Sequence, residues 1–132
     1  MKIVADTNLL VRMAVGDDPG QSRVAARTVK EAEAVIVGNL GLSELVWVLR
    51  TRYRFSKSEI TQAIESLCNI QNVVADRVAV EAGLAAMRSG ADFADGVIAH
   101  EGGMAGGDEF VSFDKKAVAA VKKLGVKARL LG

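Results

Sequence analysis

Two aspartates directly follow short apolar segments of the chain. Asp6 comes after Ile3-Val4-Ala5, and Asp114 comes after Phe110-Val111-Ser112-Phe113. Both segments have the length and composition of a buried β-strand. Ligands of open α/β sheets bind at the carboxyl ends of the strands, so we expect both carboxylates to be placed for chemistry there.

Three further acids lie at predicted helix starts. Glu44 opens the most apolar helix of the chain, because it is followed by Leu45-Val46-Trp47-Val48-Leu49. Asp92 and Asp95 are three residues apart and therefore share one face of a helix, in a first turn where the helix dipole favours negative charge. For these three acids, and for Asp6 and Asp114 as well, the alternative is a purely structural role, mostly as helix caps or first-turn acids, and this explanation is strongest for Asp92.

Several carboxylates that converge on one place need a compensating charge. Two like charges about 4 Å apart repel by roughly 4 kcal/mol at an effective dielectric of about 20. A divalent cation relieves this repulsion, and so does protonation of some of the acids. Oxygen ligands suit Mg²⁺ and Mn²⁺, whereas zinc would favour His and Cys, of which the chain has one each. A magnesium site indicates phosphate chemistry, because the metal can activate a bound water and stabilise charge on phosphoryl oxygens.

The composition indicates one soluble domain over residues 1–132. Half of the 132 residues are hydrophobic, and 17 basic against 16 acidic side chains leave a formal net charge of +1. The single cysteine, Cys68, allows no intrachain disulfide, which fits a reducing compartment. The sequence has no signal-peptide pattern and no apolar run of about 18 residues. We therefore expect a cytoplasmic protein that has no membrane span.

Helical patterns separate the short apolar segments throughout the chain. This alternation predicts an α/β fold with a mainly parallel sheet. Ser56 and Glu59 have the spacing of a capping box and predict a helix start. The glycine-rich segment 102–107 is expected to end the helix that begins near Asp92.

Four sequence blocks, residues 4–10, 42–45, 90–99 and 111–115, resemble in order the motifs of the PIN-domain family. The short chain and its Asp-Phe-x-Asp block are similar to the VapC-type toxins of prokaryotic toxin–antitoxin pairs. The resemblance implies a three-layer α/β/α sandwich with a short, mainly parallel central sheet. It implies a ribonuclease that hydrolyses RNA phosphodiester bonds with Mg²⁺ or Mn²⁺. It also implies a homodimer and a cognate antitoxin whose C-terminal tail enters the active site.

The resemblance assigns roles to individual residues. The acidic quartet of the family is matched by Asp6, Glu44, Asp95 and Asp114. Asp6 and Asp95 are expected to be direct metal ligands, and the other two to complete the shell directly or through waters. Supporting polar positions are matched by Asn8, Asp92 and Ser112. Gly96 departs from the family, which more often has Ala there, and is expected to lower helix stability by up to about 1 kcal/mol.

A basic run follows Glu44 along the chain. Arg50, Arg52 and Arg54 are possible RNA contacts, because an acidic site needs nearby cations to hold a polyanion. The alternative for this run is an ordinary solvated face. Trp47 is expected in the core or in the homodimer interface.

Three other functions remain open. A phosphatase of the aspartyl-phosphate type would use Asp6 as nucleophile, but it needs a second acid two residues on, where this chain has Asn8. A non-catalytic binding module would keep the fold and use the basic run or a groove for the antitoxin. A DNA nuclease also fits, because discrimination between the sugars requires contacts to the 2′-hydroxyl.

Overall fold

One or two helices, seven in all, separate each strand from the next of five short strands, and every pair of neighbouring strands runs parallel. The computed structural model describes all 132 residues and divides them into two compact units, Met1–Asp76 and Arg77–Gly132. The predicted α/β class with short parallel sheets is confirmed, with one sheet in each unit. The assignment of the whole chain to one domain stays a prediction. None of the helices has the length and apolarity needed to cross a bilayer.

The N-terminal unit combines a three-stranded sheet with four helices. Its elements are β1 (Lys2–Val4), α1 (Thr7–Ala14), α2 (Pro19–Glu31), β2 (Ala34–Ile36), α3 (Asn39–Thr51), α4 (Lys57–Cys68) and β3 (Val73–Val74). The strand order is β1-β2-β3, with Ile3 opposite Val35 and Val35 opposite Val73. Helices form the crossovers that parallel strands require, so the carboxyl ends of all three strands lie at one edge of this sheet.

Capping side chains fix where three helices of this unit begin. Asp6 and Asp18 each accept a 3.0 Å hydrogen bond from the backbone N–H three residues on, at the starts of α1 and α2. The predicted capping box of α4 is confirmed, with reciprocal bonds of 2.9 and 3.1 Å between Ser56 and Glu59. These caps satisfy backbone donors that a helix start otherwise leaves unpaired.

Helix α3 begins earlier than its sequence pattern predicts. It starts at Asn39, which places Glu44 in the second turn and not at the helix start. The reason lies in the buried face of the helix, which already includes Leu42 and continues through Leu45 and Leu49. Glu44 itself lies on the exposed side of α3.

The C-terminal unit combines a two-stranded sheet with three helices. Its elements are α5 (Arg77–Arg88), α6 (Phe93–Met104), β4 (Phe110–Ser112), α7 (Lys115–Lys123) and β5 (Ala128–Leu130). Strands β4 and β5 are parallel, with Val111 opposite Arg129. An apolar cluster lies under the sheet and is made of Ala99, Val118, Val121 and Ala128, with Phe110 and Val126 packed against it.

The prediction that the glycine-rich segment ends α6 was wrong for its first two glycines. Gly102 and Gly103 lie within the helix, which continues to Met104. Backbone hydrogen bonding persists through Ala105, and Gly106 then adopts a φ of 102°. That left-handed conformation is the usual helix stop and favours glycine, so conformation at Gly106 ends the helix.

Close packing of α5 against α6 explains the glycine at position 96. A Cβ built on Gly96 would lie 2.6 Å from the carbonyl carbon of Ala82 and 2.9 Å from the Cβ of Ala86. A Cβ on Gly83 would likewise lie 2.6 Å from the ring of Phe93. The two helices therefore approach each other at positions where neither can carry a side chain.

We expect Gly96→Ala to destabilise the protein. Alanine favours a helix over glycine by about 1 kcal/mol, but overpacking against backbone that cannot rotate away costs typically 1–3 kcal/mol. The cost of overpacking should exceed the gain in helix propensity, so the melting temperature measured by circular dichroism should fall. Gly102→Ala is the matched control on the same helix, because nothing lies within 4 Å of its Cβ position. A Gly96→Ala protein as stable as the Gly102→Ala protein would contradict the close approach.

Candidate active site

Asp114 lies beyond the carboxyl end of β4, as predicted, and begins the next helix. The strands before Asp6 and Asp114 were expected to be buried, but no residue of β1 or β4 is fully buried. Its Oδ1 accepts hydrogen bonds from the backbone N–H groups of Lys116, at 2.9 Å, and Ala117, at 3.3 Å. Its own N–H donates to the Oγ of Ser112 at 3.0 Å. The two hydrogen bonds to Oδ1 thus fix the orientation of the Asp114 carboxylate, and the bond to Ser112 fixes the Asp114 backbone.

Asp95 is half-buried in the first turn of α6, one turn after Asp92. Its Oδ2 accepts a hydrogen bond from the Asp92 N–H at 3.1 Å. Burial is the main cause that raises the pKa of Asp95, and the hydrogen bond from Asp92 opposes it. The charges of Asp92 and then of Asp114 raise this pKa further. Asp95 therefore lies within the electrostatic field of both Asp92 and Asp114.

Glu59 shows what the same capping position does without burial. It stands third in α4 as Asp95 stands third in α6, and its carboxylate accepts from the backbone N–H of Ser56 at 2.9 Å. That bond is the main cause that lowers the pKa of Glu59, which is exposed. A capping role alone therefore favours the charged carboxylate. The pKa of Asp95 is raised instead, so the surroundings of Asp95 disfavour the negative charge that the cap would stabilise.

The predicted acids of the N-terminal unit are exposed. Asp6 follows β1 at the carboxyl edge of its sheet, as predicted, and its Oδ1 caps α1. Asn8 lies in the first turn of α1, and Glu44 lies in the second turn of α3. All three side chains are accessible to solvent, so this unit presents an acid from a strand end and an acid from a helix.

Carboxylate oxygens are the donors that a hard divalent cation prefers, and the charge repulsion at Asp95 is of the kind that a cation relieves. The donor chemistry therefore fits Mg²⁺ or Mn²⁺. No group of three or more His, Cys, Asp or Glu side chains is arranged so that it could hold a metal ion. The metal-binding roles of Asp6, Glu44, Asp95 and Asp114 stay a prediction.

The basic run lies at the end of α3 and just beyond it. Arg50 is in the last turn, Arg52 follows the helix, and Arg54 has a φ of 55°, which is unusual for a residue other than glycine. All three are exposed. The guanidinium of Arg50 lies over the ring of Trp47, 5.3 Å from its centroid.

Of the two expectations for Trp47, the core position was wrong, because the residue is 59% exposed, and the position in a homodimer interface stays a prediction. The buried face of α3 is formed by Leu42, Leu45, Val46 and Leu49, and Trp47 lies on the other side. Phe113 is also exposed and is not among the predicted site residues.

No protein-family model and no curated protein matches the chain. Among solved structures, the chain is similar to the crystal structure of VapC20 of Mycobacterium tuberculosis, a toxin that cleaves the sarcin–ricin loop. The two are 17% identical, with a TM-score of 0.44, over 91% of this chain and 95% of that one.

Proposed function

We propose that this protein is a divalent-metal-dependent endoribonuclease that hydrolyses RNA phosphodiester bonds. Its acidic residues are Asp6, Glu44, Asp95 and Asp114, and its metal is Mg²⁺ or Mn²⁺. The observation that carries the proposal is Asp95. Its carboxylate makes a cap-type hydrogen bond, yet burial and two neighbouring acids raise its pKa. A divalent cation would stabilise the charged form of Asp95 at this place, and the motif around it resembles that of a nuclease family.

The hydrogen bonds of three acids support a ligand role. Asp6 and Asp114 each accept their cap bonds through Oδ1, and Asp95 accepts through Oδ2. One oxygen of each carboxylate thereby fixes the side chain, and the other can face a ligand. Asn8 and Ser112 would hold ligands or a phosphate oxygen in place. A bound divalent ion would supply an activated water and charge stabilisation on the phosphoryl oxygens.

The partners in this proposal follow from the same motifs. The protein would be the toxin of a toxin–antitoxin pair, active in the cytoplasm as a homodimer and inhibited by its antitoxin. RNA would be held beside the acids by the basic run of Arg50, Arg52 and Arg54, since cations contribute most of the affinity for a polyanion.

The test is cleavage of a structured RNA pool by purified protein with Mg²⁺, with Mn²⁺ and with chelator. We expect metal-dependent cutting that Asp6→Asn abolishes and Asp18→Asn retains. Asp18 is the matched control because it caps α2 through one 3.0 Å bond, just as Asp6 caps α1. Asparagine also caps helices well, so neither change should unfold the protein. Equal activity in both variants would mean that Asp6 is only a cap.

Two further substrates separate the alternative functions. Cutting of single-stranded DNA as fast as RNA would indicate a nuclease without sugar discrimination. Metal-dependent hydrolysis of p-nitrophenyl phosphate without cleavage of RNA would indicate a phosphatase. RNA binding with no hydrolysis of any substrate would indicate a binding module.

A further inference from the structure

The charges of the chain are divided unevenly along the sequence. All 16 acidic side chains lie before Lys115, whereas the last 18 residues carry six of the 17 cationic side chains and no acid. This last segment therefore has a formal charge of +6, and the 114 residues before it have a formal charge of −5. The net charge of +1 for the whole chain conceals a strongly basic segment.

Helix α7 concentrates these cations on one face. Its buried positions are Ala117, Val118, Ala120 and Val121. Its exposed positions are Lys115, Lys116, Ala119, Lys122 and Lys123. At 3.6 residues per turn, the exposed positions fall within about a third of the helix circumference, and the two lysine pairs lie about 10 Å apart along the axis. These four lysines form a continuous basic surface, which we call the lysine face of α7.

No acid neutralises the lysine face. None of its four lysines takes part in an ion pair or a side-chain hydrogen bond, whereas Arg129 of β5 is paired with Glu109. No acid lies three or four residues from any of the four lysines, the spacing at which a helix pairs opposite charges. The positive charge of this face is therefore available to a partner.

Helix stability accounts for only half of the lysine face. Lys122 and Lys123 lie in the last turn of α7, where the helix dipole favours cations. Lys115 and Lys116 lie in the first turn, where the same dipole disfavours them. Because local structure does not explain the first pair, a negatively charged partner is the better explanation for the whole face.

The residue types of the face indicate a polyanion as that partner. Protein interfaces have few charged residues at their centres, and a membrane-surface helix inserts its apolar side into lipid. Here Ala119 is the only apolar residue of the exposed side, and the apolar side of α7 is buried. Lysine ammonium groups are point charges that bind phosphate oxygens, so a row of phosphates is the partner that fits.

We propose that the lysine face of α7 binds the phosphate backbone of RNA, independently of the base sequence. The proposal rests on the proposed function and adds a second basic surface to it, because Arg50, Arg52 and Arg54 belong to the N-terminal unit. Asp114 caps α7, so an RNA strand held along this helix would lie beside one of the proposed catalytic acids.

The test measures binding separately from cleavage. Full-length Asp95→Asn protein is titrated in chelator with labelled oligouridylate at several salt concentrations, and binding is followed by fluorescence anisotropy. On a single strand, each phosphate contact adds about 0.7 to the slope of log K against log salt. Lys122→Gln combined with Lys123→Gln should therefore make this slope shallower by roughly 1.4. Arginine at both positions should restore the parent slope, because the charge is kept.

The first lysine pair separates binding from folding. Lys115→Gln combined with Lys116→Gln should change the salt slope by a similar amount. The same variant should melt at a higher temperature than the parent protein, because it removes two cations from a helix start. Weaker binding by a more stable protein cannot result from unfolding.

Lys30→Gln combined with Lys57→Gln is the matched control. Both lysines are exposed, and they lie in the last turn of α2 and at the first position of α4. This variant loses the same two charges from similar helix positions. It should bind oligouridylate with the slope of the parent protein.

Three results would overturn the inference: an unchanged slope in both α7 variants, an equal change in the control variant, or no measurable binding by the parent protein at low salt. Lysine-dependent binding to phosphatidylserine vesicles without lysine-dependent binding to oligouridylate would also overturn it, because the partner would then be a membrane. Metal-dependent cleavage by the wild type, together with unchanged slopes, would overturn only the inference. Shallower slopes in a protein that does not cleave RNA would support the inference and overturn the proposed catalysis.

Discussion

Asp95→Asn is expected to lower RNA cleavage at least about 100-fold, because even a group that only supports a metal ligand typically contributes 10- to 100-fold. The amide oxygen of asparagine can still accept the hydrogen bond that Asp92 N–H gives to Asp95 Oδ2 at 3.1 Å. The helix start is therefore kept, and what disappears is the negative charge. Initial rates on a labelled RNA at saturating Mg²⁺ would measure the loss.

Glu59→Gln is the matched control for this substitution. Glu59 occupies the same capping position in α4 and accepts the same kind of backbone hydrogen bond. If the acid at this position serves only its helix, both variants should cleave RNA at nearly the wild-type rate. Full activity in a folded Asp95→Asn protein would remove Asp95 from the proposed site.

Divalent metal is expected to raise the melting temperature of the wild type by roughly 10 °C. At a free metal concentration about 100 times Kd, binding to the folded state stabilises it by about 2.7 kcal/mol, and 1 kcal/mol corresponds to a few degrees for a chain of this length. The shift should be clearly smaller in Asp95→Asn, since one ligand is lost. Calorimetric scans with Mg²⁺, with Mn²⁺ and with chelator would measure it. Identical shifts in both proteins would place the metal elsewhere.

In the absence of divalent metal, Asp95→Asn should make the protein more stable than the wild type. Because the pKa of Asp95 is raised on folding above its ordinary 3.8, the folded protein holds its proton where the unfolded chain has lost it. The free energy of unfolding therefore falls as the pH rises from 3.8 through the folded pKa. Asparagine does not titrate, so Asp95→Asn does not lose this stability as the pH rises. It should melt at a higher temperature than the wild type at pH 7 in chelator.

Acidic pH provides the control for this prediction. Below pH 3.8 Asp95 is protonated in the folded and in the unfolded chain, so the gap between the two melting temperatures should narrow. A gap that is the same at pH 3 and pH 7 would show that the substitution acts through packing and not through charge.

Local sequence determined much of the structure. The start of α4 follows from the pair Ser56 and Glu59, because a cap depends only on residues within one turn. The positions of Asp6 and Asp114 after strands follow from short apolar runs that end in an acid. Such features need no knowledge of the rest of the chain, and the sequence alone predicted them.

Burial and packing were decided only by the tertiary structure. Whether Trp47 is exposed depends on which face of α3 meets the core, and the apolar run around it points to no particular face. Glycine at position 96 looks unfavourable within its own helix and becomes necessary only when α5 lies against it. The raised pKa of Asp95 likewise comes from burial and from a carboxylate nineteen positions away. Residue types can thus predict where acids stand along the chain, but their charge state depends on neighbours that only folding brings close.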